Sequence, residues 1–236
     1  MDPSRVGIRM GSRVAMFSGG KDGLRAASLA WPVDILLFLV YDFPEPSPHI
    51  ENVGATIAEA SLIGKPIVVA RLDRGKEFEE TADLLRKLNA DKLIAGDVFV
   101  EDHLKYMESL ASEAGASLLE PLWGQDTLEI LMKDLEEGYS MKVLGARTRA
   151  LRRAVGEVVD RHNSEWFLSL VKSDGADPLG EKGEYHTVVV NSPLHRAPLR
   201  TFNVRRISME CCDIEVVAAP FNQAAMSSYV RAFGTP

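Results

Sequence analysis

Cysteine is nearly missing from this chain of 236 residues, with only Cys211 and Cys212, side by side. Adjacent cysteines rarely bridge each other and lack zinc-site spacing, so neither a disulfide framework nor a structural zinc is expected. A reducing cytoplasm is the expected setting, with one thiol of a strand facing the core. Positive charge is also short: 27 Lys and Arg against 34 Asp and Glu, a formal net charge of −7. General nucleic-acid binding normally needs a basic surplus and is therefore not expected. No apolar run approaches the roughly 20 residues that span a bilayer. The most apolar run, Val33–Tyr41, is bracketed by charge and reads as a buried parallel strand, while residues 1–11 hold no signal-peptide core. No membrane association is expected. Internal repeats and low-complexity tracts are lacking too.

What is present is 46% apolar and 26% charged, the balance of a soluble globular protein with a large core. Strand-like runs at Arg13–Phe17, Ile35–Val40, Pro66–Ala70, Lys92–Gly96 and Ala116–Leu119 alternate with helical stripes. Val53, Ile57, Ala60 and Ile63 share one helical face; Phe78, Ala82, Leu85 and Leu88 share another, and a third stripe starts near Val100. This alternation predicts an α/β fold with a doubly wound parallel sheet. Around Pro121–Gly124 the pattern changes to a helix through Leu128 and Leu135, a strand at Met141–Gly145 and a basic helical stretch. Strands near Tyr185–Val190, Leu199–Val204 and Cys212–Ala218 follow. The expected organisation is an N-terminal domain over 1–122 and a C-terminal α+β unit over 123–236, with a short helix or frayed tail from Gln223.

The first strand runs into Ser18-Gly19-Gly20-Lys21-Asp22-Gly23, where a helix opens at Lys21 or Asp22. Such a turn aims backbone N–H groups and a positive helix end at one spot, which suits a phosphate. Lys21 adds a mobile positive charge and Ser18 a hydroxyl. This is not a Walker A loop, since Ala15 and Asp22 stand where Gly and Ser or Thr belong. An ordinary Gly-rich turn with a solvated lysine is the competing reading. Open α/β sheets bind ligands beyond their strands' carboxyl ends at a switch point. Three strand-end loops are therefore expected to meet: residues 18–23, Gly96-Asp97 and the Pro-rich segment 44–49, which ends at His49.

Ser-Gly-Gly-Lys-Asp resembles the signature of the PP-loop ATP pyrophosphatases, whose sixth residue is usually Ser. Further segments resemble one branch, the diphthine–ammonia ligases: His49-Ile50-Glu51-Asn52, Leu93-Ile94-Ala95-Gly96-Asp97, Glu120-Pro121-Leu122-Trp123-Gly124 and above all Gly180-Glu181-Lys182-Gly183-Glu184-Tyr185-His186-Thr187, then Asn191-Ser192-Pro193-Leu194. The resemblance implies a two-step amidation with ATP and Mg2+. ATP adenylates the carboxylate of diphthine on translation elongation factor 2, and ammonium displaces AMP to give diphthamide, the other product being pyrophosphate. That modification belongs to archaea and eukaryotes, so an archaeal cytoplasm is implied.

The candidate nucleotide-binding residues are Ser18, Gly19, Gly20, Lys21, Asp22, Gly23, His49, Gly96, Asp97, Gly180 and Gly183. Lys21, Asp22, Glu181 and Glu184 are the candidate catalytic residues. Lys21 and the glycine amides would stabilise charge on the departing β,γ-phosphates. Asp22 either contacts magnesium or caps the helix. Gly180 and Gly183 would let backbone approach a ligand while Glu181 and Glu184 orient ammonium or a cationic imidazole; a solvated hairpin is the plain alternative. Asp97 is a candidate for ribose or acceptor binding. Arg147, Arg149, Arg152 and Arg153 form either a solvated face or a docking patch.

Three departures matter. Gly23 replaces the usual serine, and one lost hydrogen bond to a charged group costs about 1.5–3 kcal/mol. Residues 98–103 are apolar and acidic where the relatives carry a polar, Arg-containing stretch, and Glu157 stands in place of an arginine. Together they keep open a different acceptor, or a non-catalytic ATP- or AMP-binding relative. Thiolation of tRNA is disfavoured because paired Cys-x-x-Cys motifs are lacking. No glutaminase segment is recognisable, so free ammonium is the expected nitrogen source. Whether the chain forms a homo-oligomer is left open.

Overall fold

The computed structural model describes residues 11–42 and 45–220. Five strands form an all-parallel sheet: β1 (Ser12–Met16), β2 (Ile35–Val40), β3 (Ile67–Arg71), β4 (Ala90–Ile94) and β5 (Ser117–Leu119), in the order β3-β2-β1-β4-β5. Their side chains alternate between two cores, Ala15, Leu36 and Phe38 to one face, Val14 and Leu37 to the other. Helices α1 (Lys21–Leu29) and α3 (Val53–Ile63) contribute to the first core, and a single turn, α2 (Pro48–Glu51), precedes α3. Helices α4 (Glu77–Lys87) and α5 (Glu101–Ala114) cover the second. Each large side chain so buried contributes roughly 1.5–3 kcal/mol. This is the doubly wound α/β sheet that the sequence predicts.

Beyond β5 the chain makes α6 (Thr127–Glu136), started by Asp126, whose carboxylate accepts the Glu129 N–H at 2.9 Å. Strand β6 (Ser140–Ala146) follows, then β7 (Val158–Val159), α7 (Ser164–Asp174), β8 (Tyr185–Asn191), β9 (Phe202–Ser208) and β10 (Asp213–Ala218). Antiparallel pairing organises them: β8 runs along β6, β7 joins β6 at Met141 and Lys142, β10 joins it at Gly145 and Ala146, and β9 pairs with β10. One core contains Phe17 and Leu24 together with Leu131, Val143, Phe167 and Tyr185, so it is continuous across residue 122.

Several expectations shift. Strand β4 ends at Ile94, leaving Gly96 outside the sheet, where it lies against the start of α1. The basic helical stretch shrinks to one 3-10 turn, Leu151–Ala154, held because Arg152 donates to the carbonyls of Arg147, Met209 and Glu210. Helix α7 was not foreseen. Cys211 and Cys212 are free, with sulfurs 3.6 Å apart, and Cys212 is buried just before β10 rather than within a strand. The tail from Gln223 lies outside the described residues.

Candidate nucleotide site

Strands β1 and β4 are neighbours, yet the chain leaves β1 toward β2 and leaves β4 toward β5. Their carboxyl ends therefore part at a switch point. Phe17 closes the ladder by donating its N–H to Leu37 at 2.8 Å, and the backbone then turns through Gly19 at φ +81°. Helix α1 starts at Lys21 with Gly20 as N-cap, a residue with no side chain to take the first amides. The Lys21 N–H meets Thr187 Oγ1 at 3.3 Å. The sequence-predicted strand–turn–helix is thus in place.

The lysine is not the mobile charge the sequence suggests. Lys21 is only 3% exposed, its Nζ donating to the Leu179 carbonyl and to Asp22 Oδ2 at 2.9 Å, 4.8 Å from the centre of the Tyr185 ring. The reason is β8, which lies over the loop and donates the Val189 N–H to Gly19 O at 2.9 Å. From the other side Thr56 Oγ1 donates to Ser18 O at 2.8 Å. Burial opposes the lysine charge, but Asp22, Tyr185 and Glu181 outweigh it and the ammonium is held above its ordinary value. Gly19 and Gly20 are buried, whereas Ser18, Asp22 and Gly23 stay partly open to solvent.

Asp22 keeps Oδ1 buried without a hydrogen bond, and burial raises its carboxyl despite the pull of Lys21. Among the described residues no three His, Cys, Asp or Glu side chains converge on a metal position. Asp22 therefore suits a single oxygen contact to a magnesium ion carried mainly by phosphates.

The β4 loop reaches the same point. A Cβ on Gly96 would stand 2.7 Å from the Asp22 carbonyl oxygen, so only glycine fits between this loop and α1. Next to it, Asp97 donates its N–H to Glu120 Oε2 at 3.1 Å, and its carboxylate lies 3.2 Å from His103 Nδ1. Glu181 accepts the Val98 N–H at 3.3 Å. Burial, then Asp97, pushes Glu120 up to about 8. Burial, then Asp22, pushes Glu181 up to about 7. The cleft thus places proton-sharing carboxyls near a fixed ammonium.

His49 also joins the site. A Cβ on Gly20 would lie 3.3 Å from His49 Cε1, and the His49 ring meets His186 edge-on at 5.1 Å. Burial lowers His49 to about 4 and His186 to about 3, so both rings are neutral. The 177–187 segment divides its roles. Glu181 faces the β4 loop, but the Glu184 carboxylate accepts the N–H groups of Asp177 at 3.0 Å and Lys182 at 2.9 Å, bracing its own loop. Gly180, at φ +72°, is pressed on Tyr185, where a Cβ would come within 2.8 Å of the ring. Gly183 has nothing within 4 Å of a built Cβ.

Sequence reasoning missed Glu120, Asp134, Thr187 and Tyr185 as members of this environment. Glu120 opens the Glu-Pro-Leu-Trp-Gly segment and Thr187 ends the Gly180 segment, so the signal was present in both. Asp134 carried no local signal: it meets Arg25 Nε at 3.1 Å inside the core, and burial pushes it up to about 7. Of the arginine cluster, Arg147 pairs with Glu45 at 3.3 Å and its charge reaches His186, whereas Arg152 holds the β9–β10 turn.

Sequence-family models for the diphthamide synthase N-terminal and C-terminal domains match residues 11–118 and 126–217. A search of the curated proteins returned no match. Among solved structures, a predicted subunit of tRNA methyltransferase from Methanocaldococcus jannaschii DSM superposes with a TM-score of 0.39 at 18% identity, over 78% of this chain and 98% of that one. A likeness that loose carries no argument. The two family matches span the phosphate-type loop, the β4 loop and the Gly180 segment together, and the chain belongs to the diphthamide synthase family.

Proposed function

We propose that the chain is an ATP-dependent carboxylate–ammonia ligase that completes diphthamide on translation elongation factor 2. A diphthine carboxylate oxygen attacks the α-phosphorus of ATP, giving an acyl-adenylate and pyrophosphate. Ammonia then adds to the acyl carbon, the C–N bond forms, and the C–O bond to AMP breaks. The observation that carries this reading is Lys21, set between the amides opening α1 and the carboxyls of Asp22 and Glu181. One cleft then holds donors for a departing anion and acceptors for ammonium, which becomes the nucleophile once it loses a proton.

Carboxylates are poor electrophiles, and adenylation is limited by the charge growing on the leaving pyrophosphate. The first-turn amides of α1 and Lys21 meet that charge, the lysine exchanging its Leu179 and Asp22 contacts for phosphate oxygens. Bound magnesium would neutralise part of the triphosphate charge, with Asp22 Oδ1 as its protein contact. Glu181, at about 7, is matched to take the proton that ammonium must lose before it can attack. Glu184 acts indirectly, by keeping the Glu181 loop in shape.

The test follows labelled ATP with ammonium and diphthine-bearing elongation factor. AMP and pyrophosphate are expected only when the factor is present. Factor-independent turnover would move the reading to another acceptor. Binding without turnover would favour a nucleotide-binding relative, which Gly23 supports: a Cβ there would be 3.1 Å from the Met16 carbonyl, leaving a serine little room.

A further inference from the structure

Beneath the phosphate-type loop lies a group that the mechanism above does not use. Glu59, on α3, is completely buried, and neither carboxyl oxygen has a hydrogen-bond partner. Its Oε2 is aimed at the loop: a Cβ on Gly19 would be 2.8 Å from it, and equally 2.8 Å from Thr56 Oγ1, one helical turn before. On its far side, His195 Nε2 stands 4.0 Å from Glu59 Oε1, also buried and unpartnered, while His195 Nδ1 lies 2.7 Å from Ser192 Oγ. If the Ser192 hydroxyl donates to Nδ1, the neutral ring carries its proton on Nε2 and turns that donor toward Glu59.

We infer that Glu59 is a positioning residue for the phosphate loop, its carboxyl forming the floor on which Gly19 rests, with the His195 ring, fixed by Ser192, standing behind it. The inference rests on the reading that the loop takes the phosphates of ATP. Burial alone governs Glu59 and drives it well above the usual carboxylate range. His195 faces it, and burial lowers that ring to about 4, so the pair is uncharged. Neutrality is what a site for a polyanion requires at this depth, because a carboxylate directly under the loop would repel the phosphates.

A buried acid with two unpartnered oxygens weakens a fold, and an apolar side chain of similar volume would strengthen it. A structural role and a positioning role therefore diverge. Glu59→Leu is expected to raise the melting temperature yet weaken Mg–ATP binding about tenfold or more, read by titration calorimetry. Glu59→Asp keeps the acid but withdraws it by one methylene, and is expected to weaken ATP about fivefold. Glu59→Gln keeps length, shape and hydrogen-bonding capacity without a charge, and is expected to bind ATP within about twofold of the unaltered chain. If the Leu variant does not fold, the Asp and Gln pair decides alone. Asp and Gln variants that both bind like the unaltered chain would overturn the inference and leave the ATP reading standing. Failure of the unaltered chain to bind Mg–ATP would bring down the ATP reading, and this inference with it.

Discussion

Two loops meet at Lys21, and they are built on opposite principles. Residues 18–23 are a strand–helix turn that presents backbone amides, since Gly20 brings no capping side chain. Residues 177–184 are a loop of carboxylates: Asp177 accepts the Leu179 N–H at 2.9 Å, Glu184 accepts two further amides, and Glu181 turns out to the β4 loop. The first loop can offer donors to an anion because no capping side chain takes them, the Lys21 N–H being lent to the Thr187 hydroxyl at 3.3 Å. The second satisfies its own amides with acids, and so can leave one acid over for a cation. A lysine joins the two, its Nζ on the Leu179 carbonyl of one loop and on Asp22 of the other. The proposed reaction would divide its labour along the same line, with departing phosphate on one side and ammonium on the other.

The strongest way to break the comparison is Lys21→Ala. Removing a preorganised charge from a developing oxyanion typically costs two to three orders of magnitude in rate. Pyrophosphate release is therefore expected to fall by about 10²–10³-fold. An unchanged rate would reject the placement of phosphates at this loop. The same variant leaves Asp22 without its counter-charge, so its melting temperature must be measured alongside.

A smaller effect separates the loops by their glycines. Gly19 and Gly183 have nearly the same backbone, φ +81° and +79°, but different surroundings. At Gly19 a methyl would strike Glu59 and Thr56, whereas at Gly183 it meets nothing. Gly19→Ala is expected to cost about 3 kcal/mol and to abolish tight ATP binding, strain and clash adding together. Gly183→Ala is expected to cost only the left-handed penalty, about 1–2 kcal/mol, with ATP affinity unchanged. Urea unfolding and ATP titration of the two variants would check this; equal losses would mean that the loops are equally crowded.

The carboxylates sharpen the comparison within the second loop. Glu184→Ala frees the Asp177 and Lys182 amides and is expected to cost about 1–2 kcal/mol of stability. Glu181→Gln is expected to leave stability and ATP affinity near those of the unaltered chain, while the ammonium-dependent step slows at least tenfold. Rapid-quench separation of pyrophosphate release from amide formation would read the difference. Matching profiles for the two variants would remove the division of roles between them.

Much of this is legible in the sequence, because its signals are local. Strand β2 occupies the expected Ile35–Val40, and α1 opens at Lys21, both read from a few consecutive residues. Helix α7 has a local signal as well, since Phe167, Leu170 and Val171 carry helical spacing. The burial of Lys21 could not be read: its cover comes from Leu179 and β8, more than 150 residues away along the chain. Glu184 and Glu181 look alike in sequence, three residues apart. Only the amides they meet, two in their own loop or one across the cleft, give them different work.

The mildest effect concerns pH, and it tests whether Glu120 beside the β4 loop is held protonated. Glu120 sits at about 8 in the folded chain against an ordinary 4.5, for burial and for the nearby Asp97. The folded protein therefore keeps a proton that the unfolded chain has released. Stability from this group is complete below pH 4.5 and is lost as pH rises through 8. Three histidines act in the opposite sense. His49, His186 and His195 lie at about 4, 3 and 4 against 6.5, so their cost appears only as pH falls below 6.5. Glu120→Gln should therefore leave the acid limb of the stability profile unchanged. On the alkaline limb it should raise the melting temperature above that of the unaltered chain, with the gap closing toward pH 5. Glu120 remains partly solvated, which screens the charge and makes this gap the smallest of the effects. A Gln variant less stable at pH 9 would mean that the Glu120 charge is welcome there, and that the β4 loop carries positive charge from a source other than these residues.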